Sequence, residues 1–382
     1  MANRYWVGGT ADWDTTSGTK WSTTSGGAGG AAFPTAGDDV FFDAASGAST
    51  VTITGVSKSV RSLDLTGFTG SLVQSGSITL YVYGSVDFGN TVVTVLQIFF
   101  MATTTGWTVK CNGTTQTALL YFGLNGPGGA WTLLDDLSCS GDYLGFYEGT
   151  FNANNYNITA NAFNSVSTEP RTLNMGTGLW TMTGDAADTS AWNLNTSTGM
   201  TLNPSTSTIK CTYTASSTLI FAGGGLTYNN VWFSRGSSTG KIRVQNSSTF
   251  NDFKDTGSAA HTIEFVAGTT QTFTTFTVSG TVGNLISINS SSTATHALVK
   301  SGGGTISCDY LNIQHSVATP SSTWYAGYNS TNNQAVATAG SGWAFTDPNP
   351  SNISTLNSLA YGSLATFNNL ARTSISNING LT

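Results

Sequence analysis

Charge is what this sequence has least of. Asp, Glu, Lys and Arg make up 8% of its 382 residues, against about 25% in ordinary soluble domains, so Thr, Ser and Asn supply the polar surface. The 13 Lys and Arg are scattered, and with 19 Asp and Glu the net charge is −6. No basic stripe exists, which excludes a nucleic-acid partner, because phosphate binding needs clustered cations. Helical periodicity is missing as well. No amphipathic segment of helix length separates the strand-like runs, which excludes a doubly wound α/β fold and leaves sandwich, barrel or β-helix. The longest apolar window, Val92–Ala102, has 11 residues, short of the ~20 that a membrane helix requires. It reads as a core strand pair, and no membrane span is expected. The opening MANRYWVGGTADWD has no apolar run of secretory-signal length, so export by the general route is not expected.

Cysteine and histidine are too few and too dispersed for a metal site. Cys111, Cys139, Cys211 and Cys308 stand 28, 72 and 97 residues apart and match no ligand spacing. They read as small buried hydrophobes, with a disulfide as the alternative. His261, His296 and His315 have no nucleophile elbow to work with and read as surface or coil-edge residues. No metal, no cofactor and no catalytic residue is expected.

What the chain has is glycine, aromatics and alternation. With 45 Gly, 20 Phe, 13 Tyr and 10 Trp it is too apolar for disorder. The stretch Thr262–Thr281, TIEFVAGTTQTFTTFTVSGT, sets the pattern: Ile263 and Phe265, then Phe276 and Val278, are apolar pairs at alternate positions, broken by Gly268 and Gly280. Short strand, glycine turn, short strand is the unit of a solenoid, in which a coil buries its inner face only by stacking on its neighbours. Val51/Ile53, Leu63/Leu65, Ile78/Leu80 and Val86/Phe88 repeat it upstream. Coils of roughly 20–25 residues put roughly 12–15 coils into residues 46–345.

Residues 1–45 read as an N-terminal aromatic cap, with Trp6, Trp13 and Trp21 covering the open edge of the first coil, and with Asp38, Asp39 and Asp43 as turn residues. Residues 46–345 read as the solenoid body, with a possible lateral insertion within 90–260. Asp347–Pro350 is a rigid linker, and residues 346–382 form the linker and a tail with an eleven-residue repeat. The tail presents nine apolar anchors, Ile353, Leu356, Leu359, Leu364, Phe367, Leu370, Ile375, Ile378 and Leu381, too many for a solvated segment and too few for a core of their own. It should dock. Its period suits a right-handed helical coil, while the Asn in each repeat suits turns; both conformations stay open.

Some of these stretches resemble a known group. Tyr5-Trp6-Val7-Gly8-Gly9-Thr10, Trp21-Ser22, Ser25–Gly30 and Asp38–Asp43 are similar to an opening shared by phage virion proteins and bacterial surface proteins with β-helical bodies. Glu264–Phe273, Val278–Thr281, Gly283–Ile286, Asp309–Gln314, Trp324–Gly327 and Gly342–Phe345 resemble the tail-fibre and adhesin coils of that group. The resemblance covers about a third of the chain and implies an all-β, right-handed parallel β-helix at a virion or cell surface. It carries no catalytic residue over, and the segment Tyr328–Ser341 and His315 depart from it.

One cluster invites chemistry. Asp135, Asp136, Asp142 and Glu148 lie among Trp131, Tyr143, Phe146 and Tyr147. Two acids beside aromatic platforms are what a glycosidase groove needs; passive sugar or partner contact and plain turn acids are the other readings. Trp131, Asp135, Asp136, Asp142, Tyr143, Tyr147 and Glu148 are therefore contact candidates. The expected role is a non-enzymatic virion component of the fibre, spike or exterior-decoration type on the virion exterior. Its expected partners are other virion proteins through the tail and a host surface polysaccharide, in a homo-oligomer with a trimer favoured. A bacterial adhesin and a tailspike hydrolase are the alternatives.

Overall fold

Alternation becomes strand at nearly every place the sequence shows it, because each strand buries one row of side chains and leaves the other row to Thr, Ser and Asn. The computed structural model describes residues 1–346 apart from 14–17, 95–96, 125–127, 185–189 and 333–339; beyond them it describes the strand backbone at 355–356, 359–360, 366–367 and 370–371. The chain is all-β, 1% helical, and winds as a parallel β-solenoid of about 13 turns. The 3-10 turn Ala44–Ser46 is capped by the Asp43 carboxylate, which accepts from the N–H groups of Ala45 and Ser46. Contacts divide the chain into two compact units: residues 1–213 with 219–232, and residues 214–218 with 233–382.

In the first unit each coil runs through three sheets. One coil comprises Asp39–Phe41, Thr50–Ile53 and Lys58–Val60; the next comprises Ser62–Asp64, Ser71–Gln74 and Thr79–Val82. Each strand pairs in parallel with its counterpart one coil away, so Val40, Leu63, Val86 and Val109 stand in one column at steps of 23 residues. Along the third sheet the inward column turns aromatic. Val82, Phe100, Phe122 and Phe146 are in register, and Phe100 and Phe122 stack at 4.1 Å. Burying each such ring contributes about 1.5–3 kcal/mol, and stacking fixes the register of the coils that carry them.

At the outermost coil Asn3–Trp6 pairs in parallel with Asp39–Phe41 and antiparallel with Trp21–Ser22, the last strand of that sheet. Trp6, Trp13 and Trp21, none more than 1% exposed, fill the end of the core against Phe42. In the second sheet, the four-strand ladder ends at Val93–Thr94 and a new one starts at Thr115–Gln116. The buried side chain of Gln116 closes that break: its Oε1 accepts from the Val93 N–H at 2.9 Å, while Nε2 donates to the Thr91 carbonyl at 3.2 Å and to Thr114 Oγ1 at 2.7 Å.

The second unit uses longer strands. Thr249–Asp255 and Thr270–Thr277 each bury two phenylalanines three positions apart, Phe250 and Phe253, Phe273 and Phe276. A strand whose inward residues shift by three rather than two turns a corner, so one strand lines two walls of the coil. In register, Phe250 stacks on Phe273 at 5.5 Å and Phe253 on Phe276 at 5.4 Å. Gln271 repeats the clasp of Gln116: Oε1 accepts from Ser248 N–H at 3.0 Å, and Nε2 donates to the Asn246 carbonyl at 2.6 Å and to Thr269 Oγ1 at 3.2 Å.

The tail repeat forms antiparallel strand pairs in the stretch that is described. Thr355–Leu356 pairs with Leu359–Ala360, and eleven residues later Thr366–Phe367 pairs with Leu370–Ala371. In sequence each pair is separated by two residues of which the first is Asn, and the described part of the first two repeats is strand. Leu356, Leu359, Phe367 and Leu370 lie on these strands; Ile353, Leu364, Ile375, Ile378, Leu381 and the linker 347–350 lie outside the described residues.

Candidate functional site

In a solenoid coil, sequence neighbours travel round the perimeter and spatial neighbours lie one coil away. The cluster from Trp131 to Glu148 is accordingly spread over one coil instead of gathered on one face. Trp131 is fully buried. It sits in an inward phase of the strand Ala130–Leu133 and packs edge-on against Phe122 at 5.5 Å, which corrects its reading as a contact residue. Asp135 and Asp136 occupy the turn after that strand, and each clamps a different neighbouring coil. Asp135 accepts from the N–H groups of Cys111 at 2.7 Å and Asn112 at 2.5 Å. Asp136 accepts from Asn157 N–H at 2.9 Å and from its Nδ2 at 3.1 Å. A carboxylate that satisfies backbone donors in this way is a turn clamp.

Asp142, Tyr143, Tyr147 and Glu148 surround the next strand, Leu144–Phe146. Asp142 is exposed and borders a shallow groove with Ser77, Thr94, Thr117 and Leu119. Partial burial, with Glu169 nearby, holds the Glu148 carboxyl above its usual range. Tyr143 and Tyr147 flank Gly145, and both reach the ring of Tyr121 in the coil before, at 5.5 and 6.0 Å. Tyr121 Oη donates to Tyr143 Oη at 3.0 Å, and Tyr147 Oη lies 3.5 Å from the same oxygen. Burial first, then the hydrogen bond to Tyr143, pushes the Tyr121 and Tyr147 phenols up, so both stay protonated. Gly145 is required here. A Cβ on it would lie 2.7 Å from Tyr121 Cδ1 and 2.7 Å from Tyr147 Cε2.

These tyrosines end a column that sequence reading missed. On the outward side of the third sheet Tyr81, Phe99, Tyr121 and Gly145 are in register over four consecutive coils. Tyr81 meets Phe99 at 5.5 Å and Phe99 meets Tyr121 at 4.9 Å, both edge to face. The column begins above Ser59 and gives way to Asn164 and Asn193. Its signal in the sequence is an aromatic at alternate-to-core positions recurring once per coil.

Outward on the first sheet lies a second hollow, where Asp64 and Asp87 are cross-strand neighbours. Its charged groups serve the fold. Arg61 pairs with Asp39, Lys110 stands 3.6 Å from Asp87, Asn112 Nδ2 donates to Asp87 at 2.5 Å, and Asp64 accepts from Thr66 N–H at 2.8 Å.

The four cysteines are buried, Cys111, Cys139 and Cys308 as free thiols, and burial pushes the thiols of these three up to about 12. Two histidines depart from their expected place at the surface. His261 and His296 are 7% and 1% exposed, because each takes an inward phase of its strand. The Asp255 carboxylate lies 2.8 Å from His261 Nε2, and Nδ1 donates to the Ala259 carbonyl at 2.8 Å. Among the described residues no set of three His, Cys, Asp or Glu side chains is arranged to hold a metal, and no helix is long and apolar enough to cross a membrane. No family model, no curated protein and no solved structure matches this chain.

Proposed function

We propose that this chain is a non-enzymatic structural protein of a particle exterior, a phage fibre, spike or decoration component whose outer faces contact host-surface glycans. The observation that carries the reading is a solenoid with a sparsely charged Thr, Ser and Asn exterior interrupted by an aromatic column in which Tyr81 and Phe99 are half-exposed and Tyr121 lies beneath the surface. Asp135 and Asp136 favour the non-enzymatic reading, since both are committed to backbone donors of adjacent coils. The strand pairs of the tail, two-stranded sheets to which a further strand can be added, favour attachment through residues 346–382 to other virion proteins or to further copies in a trimer.

Mass spectrometry of purified virions tests this. The expected result is a stoichiometric particle component. Recovery with the bacterial envelope instead replaces it with the adhesin reading, and release of reducing sugar from host glycan by the purified protein replaces it with the hydrolase.

A further inference from the structure

The outward column of the third sheet has the chemistry of a binding face for one kind of polymer. Tyr81, Phe99, Tyr143 and Tyr147 are half-buried, and Tyr121 lies beneath them. Half-exposed rings at the first, second and fourth of four consecutive coil levels, with Tyr121 buried at the third, make a stripe roughly 14 Å long at the ~4.8 Å strand spacing. Apolar contact alone does not choose an occupant; the polar groups beside the rings do. The phenols of Tyr121, Tyr143 and Tyr147 converge, and a hydroxyl both donates and accepts. Gln97, whose Nε2 donates to Thr79 Oγ1 at 2.6 Å, flanks the stripe with an amide. The strands Thr79–Val82, Gln97–Phe100, Leu119–Phe122 and Leu144–Phe146 carry no Lys or Arg, and the charges nearest the stripe in sequence, Asp142 and Glu148, are negative.

We infer that this stripe binds an uncharged polysaccharide lying along the solenoid, with sugar rings against Tyr81 and Phe99 and sugar hydroxyls on the phenols of Tyr143 and Tyr147. The inference rests on the glycan-contact reading above and narrows it to one face and one charge class. Ring faces of uncharged sugars are apolar at their C–H groups and polar at their edges, which matches rings bordered by hydroxyls and an amide. An acidic glycan finds no Lys or Arg on these four strands and has the carboxylates of Asp142 and Glu148 beside them, an arrangement that discriminates by repulsion.

Affinity electrophoresis of the full chain through gels containing dextran, laminarin, mannan or, as the acidic probe, polygalacturonate tests the inference without reference to any particle. Retardation by at least one neutral polymer and none by polygalacturonate is expected. Tyr81→Ser with Phe99→Ser should weaken the retardation at least tenfold. Tyr143→Phe with Tyr147→Phe keeps the rings and the fold but removes two hydroxyls, and should weaken it severalfold. Retardation by polygalacturonate alone, by no polymer, or undiminished in both double variants overturns the inference. A protein that binds a neutral polymer yet is missing from virions overturns the virion reading and leaves the stripe standing; one that is stoichiometric in virions but binds no neutral polymer does the reverse.

Discussion

The same five residues, Gly-Thr-Thr-Gln-Thr, occur at 113–117 in the first unit and at 268–272 in the second. In both, the Gln amide reaches back one coil to a carbonyl and an N–H and, within its own coil, to the Thr two residues before it. The coils around them are built differently. The coil that holds Gln116 is built of short strands of two to four residues, while around Gln271 strands of seven or eight residues turn a corner. A buried amide with all partners supplied by its own and the previous coil is thus a local device, indifferent to the outline of the coil that holds it.

The largest effect should come from the phenylalanine-lined corner of the second unit. Phe253 packs against Phe250, Phe265, Phe273 and Phe276, so Phe253→Ala should cost about 3–5 kcal/mol, read as a lowered midpoint in denaturant unfolding. A loss below about 1 kcal/mol would mean that the long strand is held by its ladder and not by its rings.

Next comes the shared device. Gln116→Ala takes a partner from the buried Val93 N–H and the buried Thr91 carbonyl, and Gln271→Ala takes one from the buried Ser248 N–H and the half-buried Asn246 carbonyl, at about 1–3 kcal/mol per buried group. Thermal unfolding should show similar losses for the two variants. A loss in one alone would break the equivalence of the two clasps.

Third is pH, which separates the units because all three histidines lie in the second. Burial holds His296 down at about 3, with His315 adding to it. A lowered histidine binds fewer protons folded than unfolded, so the second unit should lose stability as pH falls from about 6.5 toward 3. For His261, burial opposes the charged form and Arg235 adds to that, but the Asp255 carboxylate and the Ala259 carbonyl prevail and its pKa is raised. Its contribution is complete below the unfolded value near 6.5 and is lost as pH rises through the raised one. Stability of His296→Phe measured against pH should lack the acid loss, and His261→Asn should lack the alkaline one; identical pH profiles for parent and variants would refute both assignments.

The smallest effect belongs to an exposed clamp. Asp136 is exposed, so Asp136→Asn should change stability by less than about 1 kcal/mol, whereas Asp135→Asn, facing two backbone N–H groups of the neighbouring coil, should cost more in the same urea titration.

Much of the fold was legible because alternation has one physical meaning. Val51/Ile53 and Ile263/Phe265 had to share a buried face, and glycine turns at solenoid spacing had to stack. The binding face was not legible in the same way. Reading Trp131 with Asp135 and Tyr143 assumed that nearness in sequence is nearness in space, and in a coil that is true only round a corner. Tyr121 and Tyr143, 22 residues apart, are neighbours, while Trp131, four residues from Asp135 in sequence, points into the core.

By itself, then, the sequence determined strand, turn and stacking, since these follow from residue period and from glycine at turns such as Gly268, whose φ is 77°. Only the tertiary structure decided which turn acids clamp neighbouring coils, which histidines are buried, and which outward aromatics form a column. Those depend on the length of each coil, which sets the register between residues some 20 or more positions apart, and the residues in between carry no local signal of it.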